Sequence, residues 1–218
     1  MFLLFVIFIC FAMKICYSME LETKLLNKTI IIDSGHGGKD GGSVVNGILE
    51  KNINLQISLK LKDILIKNGA NVIMTRDGDY DLSSPNVNRR KKSDFDNRIS
   101  LINNASADLY ISIHLNYLSD SRYSGAQVFY TKGNEYLAEI MQESLASYLK
   151  TKMPAKKLSN TIYMYKKLNV PGVLIECGFL SNEKERNLLI TDKYQERIAL
   201  AIIKGIISYY WYVLIFSL

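Results

Sequence analysis

The sequence predicts a single α/β domain: a twisted, mostly parallel or mixed sheet with helices on both faces and its functional site at the C-terminal edge of the strands. Three observations carry that expectation. Short β-branched runs alternate with longer segments of helical period, as in a wound sheet. At 218 residues the chain can bury one sizeable core and does not require a second. Three of its apolar runs also end in residues able to do chemistry, His36, His114 and Glu176.

The chain opens on Met1 to Tyr17, almost wholly apolar, with Lys14 its only charge. Residues 1–18 therefore read as a signal peptide or membrane anchor, and the domain behind them as exported. The uninterrupted run Phe2 to Met13 is short for a span and no small-residue cleavage site follows, which leaves anchor and cleaved signal both open. Ile30 to Ile32 reads as a buried strand that breaks into Gly35-His36-Gly37-Gly38, where glycines let the backbone turn closely enough to expose an imidazole.

Glu50 opens a helix in which Ile53, Ile57, Leu61, Ile64 and Leu65 repeat at helical spacing until Asn68-Gly69 stops it. A strand from Asn71 to Thr75, a polar loop from Asp77 and a helix capped by Ser93 or Asp94 lead to the strand Leu109 to His114. Gly125 to Tyr130 reads as a further strand, Asn134 to Lys150 as a helix, and Thr161 to Tyr165 and Val173 to Glu176 as the last strands. Asn182 with Glu185, and Asp192 with Gln195, have the spacing of capping boxes. The final helix is expected from Lys193 to about Tyr210, leaving 211–218 as an apolar tail too short to span a bilayer by itself.

The formal net charge is +6, and much of the excess is local to Arg89-Arg90-Lys91-Lys92. That cluster is either a solvated face or an attraction to anionic wall polymer or phospholipid. Nucleic acid is excluded as a partner, because no binding motif accompanies the basic residues and the leader exports the chain. Cys10 and Cys16 lie in the leader, so Cys177 stands alone in the domain and no disulfide can form there. A thiol nucleophile at Cys177 is discounted, since both histidines have better-placed roles as ligands.

In an open α/β sheet the carboxyl ends of the strands line the crevice where ligands bind, so His36 and His114, the chain's two histidines, can meet there. Glu50, at a helix start facing the same edge, can join them. Two imidazoles and one carboxylate leaving an open position form the ligand set of a catalytic zinc. Singly each has a plainer reading, a hydrogen-bonded scaffold histidine or a glutamate complementing a helix dipole; their joint placement favours the metal. Glu176, closing an apolar strand, is costly to bury unpaired, which makes it a candidate general base or ligand unless it only caps the next loop.

Asp33-Ser34-Gly35-His36-Gly37-Gly38, then Glu50, then Ser112-Ile113-His114-Leu115-Asn116, then Glu176-Cys177-Gly178-Phe179-Leu180-Ser181-Asn182 resemble the zinc-dependent N-acetylmuramoyl-L-alanine amidases of the type 3 family. The resemblance runs from about Lys28 to Tyr210 and implies a catalytic domain over residues 28–210. It further implies one Zn2+ held by His36, Glu50 and His114, Glu176 as catalytic acid/base, and peptidoglycan strands with stem peptides as substrate. Ser34 stands where the family usually has proline and Tyr117 where a small residue is common.

Arg89 to Lys92, Asp96-Asn97-Arg98-Ile99 and Ser121 to Tyr130 are similar to the spore-cortex branch of the family. That similarity implies action in the forespore envelope on the way to muramic δ-lactam. Membrane attachment through residues 1–17 and the need for an activating protein stay open. Two rivals remain, another zinc peptidase and a non-catalytic wall-binding protein of the same fold; the complete set of ligands and base argues against the second.

Overall fold

A computed structural model describes residues 24–159 and 162–216. In chain order the elements are β1 (Thr29–Ser34), β2 (Val44–Val45), β3 (Ile48–Leu49), α1 (Glu50–Lys67), β4 (Asn71–Met74), α2 (Arg90–Asn104), β5 (Leu109–Asn116) and β6 (Gln127–Tyr130). There follow α3 (Glu135–Leu149), β7 (Lys156–Lys157), a 3-10 turn (Tyr165–Lys167), β8 (Gly172–Phe179), α4 (Glu183–Leu189) and α5 (Asp192–Phe216).

Six strands form one mixed sheet in the order β4-β1-β5-β8-β6-β7. The first four are mutually parallel, and β6 runs antiparallel to β8. Alternation along each strand divides the core into two layers. Ile30, Ile32, Ile111, Ile113, Val173 and Ile175 pack on one face with α1, α3 and α5. Ile31, Tyr110 and Leu174 pack on the other with Ile102 and Phe95 of α2. Covering both faces is what permits near-continuous apolar strands, and it bears out the expected layering. Along α1 the expected stripe Ile53, Ile57, Leu61 and Leu65 is buried, while Ile64 is only partly so. Gly205 lets α5 approach α3, because a Cβ there would fall 2.6 Å from the Met141 sulfur.

Several local expectations are corrected. Ile162 to Met164 lead through a turn into the 3-10 turn, with Thr161 outside the described residues. The apolar spacing that suggested a strand instead places Met164 and Tyr165 beneath the sheet with Tyr110 and Leu174. The strand in this region is β7, which pairs with Phe129 and Tyr130. Helix α2 begins before both expected caps: the Ser93 hydroxyl accepts from the Ser84 N–H at 3.0 Å, and the Asp94 carboxylate takes the Leu82 N–H and Arg98.

Asn182 does cap α4, accepting from the Glu185 N–H at 3.0 Å, but its own N–H goes to the Phe179 carbonyl, so no reciprocal box forms. Asp192 lies inside α5 and pairs with Lys60, while Gln195 donates to Gln56 and the Leu189 carbonyl. Helix α5 also continues past Tyr210 to Phe216, so most of the expected tail is helix. The leader, residues 1–18, lies outside the described residues.

Candidate metal centre

The site is assembled at the carboxyl edge of β1, β5 and β8. After β1, the Gly35 N–H still bonds the Ile113 carbonyl at 3.0 Å. A Cβ on Gly35 would sit 2.4 Å from the His114 ring, so glycine there is what lets that imidazole pack across the strand end. His36 follows with φ 60, the left-handed region that a side chain enters only when its surroundings hold it.

Two buried arginines supply that hold. Arg98 Nη2 donates to the His36 carbonyl at 2.6 Å, and its Nη1 to the Ser34 carbonyl at 2.8 Å. Arg76 Nε donates to the Ser34 carbonyl at 3.0 Å and its Nη2 to the Gly35 carbonyl at 2.8 Å. The charge of Arg98 is met by Asp33 at 2.7 Å and Asp94 at 3.1 Å. Burial works against the Asp33 charge, but Arg98 and the Ser112 hydroxyl outweigh it and hold that carboxyl below its usual range.

At the centre one carboxylate oxygen is shared. Glu50 Oε1 lies 3.1 Å from His36 Nε2 and 3.1 Å from His114 Nδ1, with the two rings edge to face at 4.9 Å. Glu50 is the first residue of α1 and is buried; its Oε1 also accepts from the Leu115 N–H at 3.1 Å and its Oε2 from the Ser43 N–H at 2.9 Å. Asn54, one turn along α1, donates to Oε1 at 3.3 Å. Burial disfavours the charge on Glu50, yet His114 and His36 hold its carboxyl well below the usual range. His36 is likewise opposed by burial, but Asp40 and Glu50 raise its pKa to about 9.

Asp40 lies 3.1 Å from His36 Nδ1 and so fixes the ring with Nε2 facing inward. One donor atom from each of His36, Glu50 and His114 lies within 4.8 Å of the others, so the three can hold one metal ion. The donor set itself suits such an ion, being two imidazole nitrogens and one carboxylate whose other contacts are backbone and amide N–H groups.

Glu176 enters the same cleft from β8, as the register partner of His114. Its Oε2 is buried and takes no hydrogen bond among the described residues. Burial pushes the carboxyl up to about 7, against the pull of His114. The cleft, about 560 Å³, opens past Lys91, Phe95, Tyr117, Ile162 and Tyr163. Cys177 points the other way, into the layer under α1, α3 and α5, where burial raises its thiol well above the usual value. The basic cluster beside the cleft is largely paired: Arg90 with Asp81, Lys92 with Asp96 at 2.5 Å, and Lys91 with Asp40 at 3.6 Å.

The four side chains expected from sequence, His36, Glu50, His114 and Glu176, are brought to one cleft; Asp40 was not among them, and Asp33, Arg76 and Arg98 had been given no role there. An acid four residues after a loop histidine was the one available signal for Asp40.

Comparison with known proteins identifies the family. The family model described as N-acetylmuramoyl-L-alanine amidase matches residues 30–208. The germination-specific N-acetylmuramoyl-L-alanine amidase of Bacillus subtilis (strain 168) is 41% identical, over 96% of this chain and 93% of the relative. The N-acetylmuramoyl-L-alanine amidase LytC of the same organism is 32% identical over 88% of this chain and 37% of its own length. Among solved structures, the CwlD amidase from Clostridioides difficile in complex with the GerS lipoprotein superposes with a TM-score of 0.80 at 43% identity, covering 84% of this chain and 98% of that one.

Proposed function

The chain belongs to the N-acetylmuramoyl-L-alanine amidase family, and on that premise we propose that it hydrolyses the amide bond between N-acetylmuramic acid and L-alanine in peptidoglycan, using one zinc ion held by His36, Glu50 and His114. The observation that carries the reading is the convergence of two imidazoles on one carboxylate oxygen beside the unpartnered carboxylate of Glu176.

When bound, zinc supplies Lewis acidity, lowering the pKa of water and polarising a carbonyl. The protein supplies the rest. Asp40 accepts the Nδ1 proton of His36 and leaves Nε2 free to ligate. Leu115, Ser43 and Asn54 donate to Glu50 and keep its carboxylate aimed at both histidines. Glu176, with a pKa raised to about 7 by burial, takes the proton of the attacking water and returns it to the amine of the departing L-alanine.

The 41% identity to a germination-specific amidase supports a place in spore-cortex maturation, where muramic acid stripped of its peptide is the species from which the δ-lactam can close. The same likeness supports an exported, extracytoplasmic enzyme in the forespore envelope, carried there by residues 1–18 with residues 28–210 as the catalytic domain. A lipoprotein is the expected class of activating partner, since the CwlD amidase was solved in complex with one.

Digestion of purified peptidoglycan followed by mass spectrometry tests the reading. The expected products are free stem peptides with new L-alanine amino termini and muramic acid with a free lactyl carboxylate. No new reducing ends should form, because a glycosidic bond is cut by paired carboxylates across an anomeric carbon. Cleavage within the stem peptide alone would replace the amidase assignment with a zinc peptidase.

A further inference from the structure

The end of the molecule opposite the cleft, where the strands begin, is unusually apolar. The buried stripe of α5 runs through Ile198, Ile202 and Ile206 and ends at Ile207. Beyond it the helix overshoots the core, and Trp211, Leu214 and Ile215 are 54%, 61% and 59% exposed. Two more exposed apolar side chains lie at this end, Leu26 in the turn before β1 and Ile66 in the last turn of α1. The Leu25 N–H bonds the Asn68 carbonyl at 3.0 Å and joins those two segments; Lys28 Nζ, 4.9 Å from the Tyr210 ring centre, ties the turn to α5. Tyr212 stacks on Tyr136 at the start of α3, 4.3 Å between ring centres.

Three features identify what covers this end. Tyr209 and Tyr210 still pack partly on the core, and past them the helix presents Trp211 first and then Leu214 and Ile215: an aromatic ring with a polar tip followed by aliphatic side chains, the order found where a helix enters lipid from the headgroups. Lys24, Lys28 and Lys67 border it against Asp108, paired with Lys28 at 3.4 Å, and Glu135 at the start of α3, which leaves a small positive excess, the sign that an anionic surface attracts. The chain enters the described part at Lys24, at this same end, with the apolar run Phe2 to Met13 only a short way before it.

Crossing a bilayer is outside the reach of this segment: α5 packs on the core as far as about Tyr209, and the remaining seven or so residues rise about 11 Å against a hydrocarbon core of about 30 Å. A depth of about 11 Å suits the headgroup and acyl boundary instead. We infer that Trp211 to Ile215, with Leu26 and Ile66 beside them, form a docking surface for an anionic lipid bilayer that holds the domain with its cleft turned away from the lipid.

Trp211 is the single tryptophan of the chain, so its fluorescence reports on this surface without interference from the leader. The full chain is mixed with vesicles of phosphatidylglycerol and phosphatidylcholine, with and without brominated acyl chains. The expected result is a blue shift of the emission and loss of most of it to the brominated lipid. Leu214→Ser/Ile215→Ser, at exposed positions remote from the cleft, should abolish both changes while wall hydrolysis in solution stays unchanged. Vesicle-bound protein with unshifted, unquenched Trp211 would overturn the proposal and leave attachment to the leader. So would emission already shifted without lipid and dependent on protein concentration, the mark of a second copy covering the patch.

Discussion

His114 and Glu176 are register partners on the adjacent parallel strands β5 and β8, so an imidazole bonded to Glu50 stands beside a carboxylate whose buried Oε2 has no partner among the described residues. The pairing separates two roles that the same sheet edge could otherwise confuse. Glu176→Gln should retain zinc, measured by elemental analysis, yet lose turnover about a hundredfold or more if proton transfer contributes as it does elsewhere. Near-normal turnover with the metal in place would remove Glu176 from the chemistry.

The same carboxyl makes a prediction about stability in metal-free protein. Its folded pKa, raised to about 7, exceeds the ordinary value of 4.5, so the folded state holds a proton that the unfolded chain has released. Its contribution is therefore fully present below 4.5 and lost as pH rises through about 7. Glu176→Gln should match wild type near pH 4 and exceed it at pH 8, by about 2 kcal/mol from ~1.4 kcal/mol per unit with allowance for relaxation. Paired urea melts at the two pH values read the difference; a gap that does not change with pH contradicts the burial argument.

Asp40 touches one ring nitrogen of His36 and leaves the other facing Glu50, where the proposed metal would sit. Asp40→Ala should weaken zinc affinity about 10- to 100-fold, the usual effect of losing the group that orients a ligating histidine. Competition with a chelator measures it. His36→Ala with His114→Ala should abolish near-stoichiometric zinc altogether, and retention of zinc by that double variant would refute the ligand assignment.

Arg98 sits between Asp33, Asp94 and the carbonyls of Ser34 and His36 with almost no exposure. Arg98→Met leaves two buried carboxylates uncompensated and should destabilise the fold by about 3–5 kcal/mol. Arg98→Lys keeps the charge but not the fork, and should fold better than the methionine variant while binding zinc more weakly than wild type, since His36 loses its hold. Denaturant unfolding and zinc titration distinguish the two.

Cys177→Ser should keep its activity per folded molecule, because the thiol lies on the core face of β8 and not in the cleft. Complete loss of turnover with zinc and fold intact would restore the thiol as a participant.

The sequence made the central residues legible because a β-branched run that ends in His or Glu states both the strand and its edge, as at Ile30 to His36 and Val173 to Glu176. Glu50 was legible because a helical stripe begins immediately after it. Arg76 and Arg98 were not, since the carbonyls they hold around His36 are 41 to 64 residues away in sequence, a relationship created by the parallel order of β1, β4 and β5. Thr161 to Tyr165 misled because an apolar alternation serves equally for a strand and for a turn pressed against the underside of a sheet. The extension of α5 past Tyr210 was hidden because Trp211, Leu214 and Ile215 are exposed, so the buried stripe that marks the rest of the helix is not carried on through them.

The sheet order puts β8, late in the chain, between β5 and β6, both made much earlier. A chain emerging amino terminus first can assemble β1, β4 and β5 and bring His36, Glu50 and His114 together, but it has no Glu176 until some four-fifths of its length has appeared. On the role proposed for Glu176, competence thus arrives near the end of synthesis. An interrupted chain would bring the three proposed ligands together beside an open sheet edge and lack the proposed base.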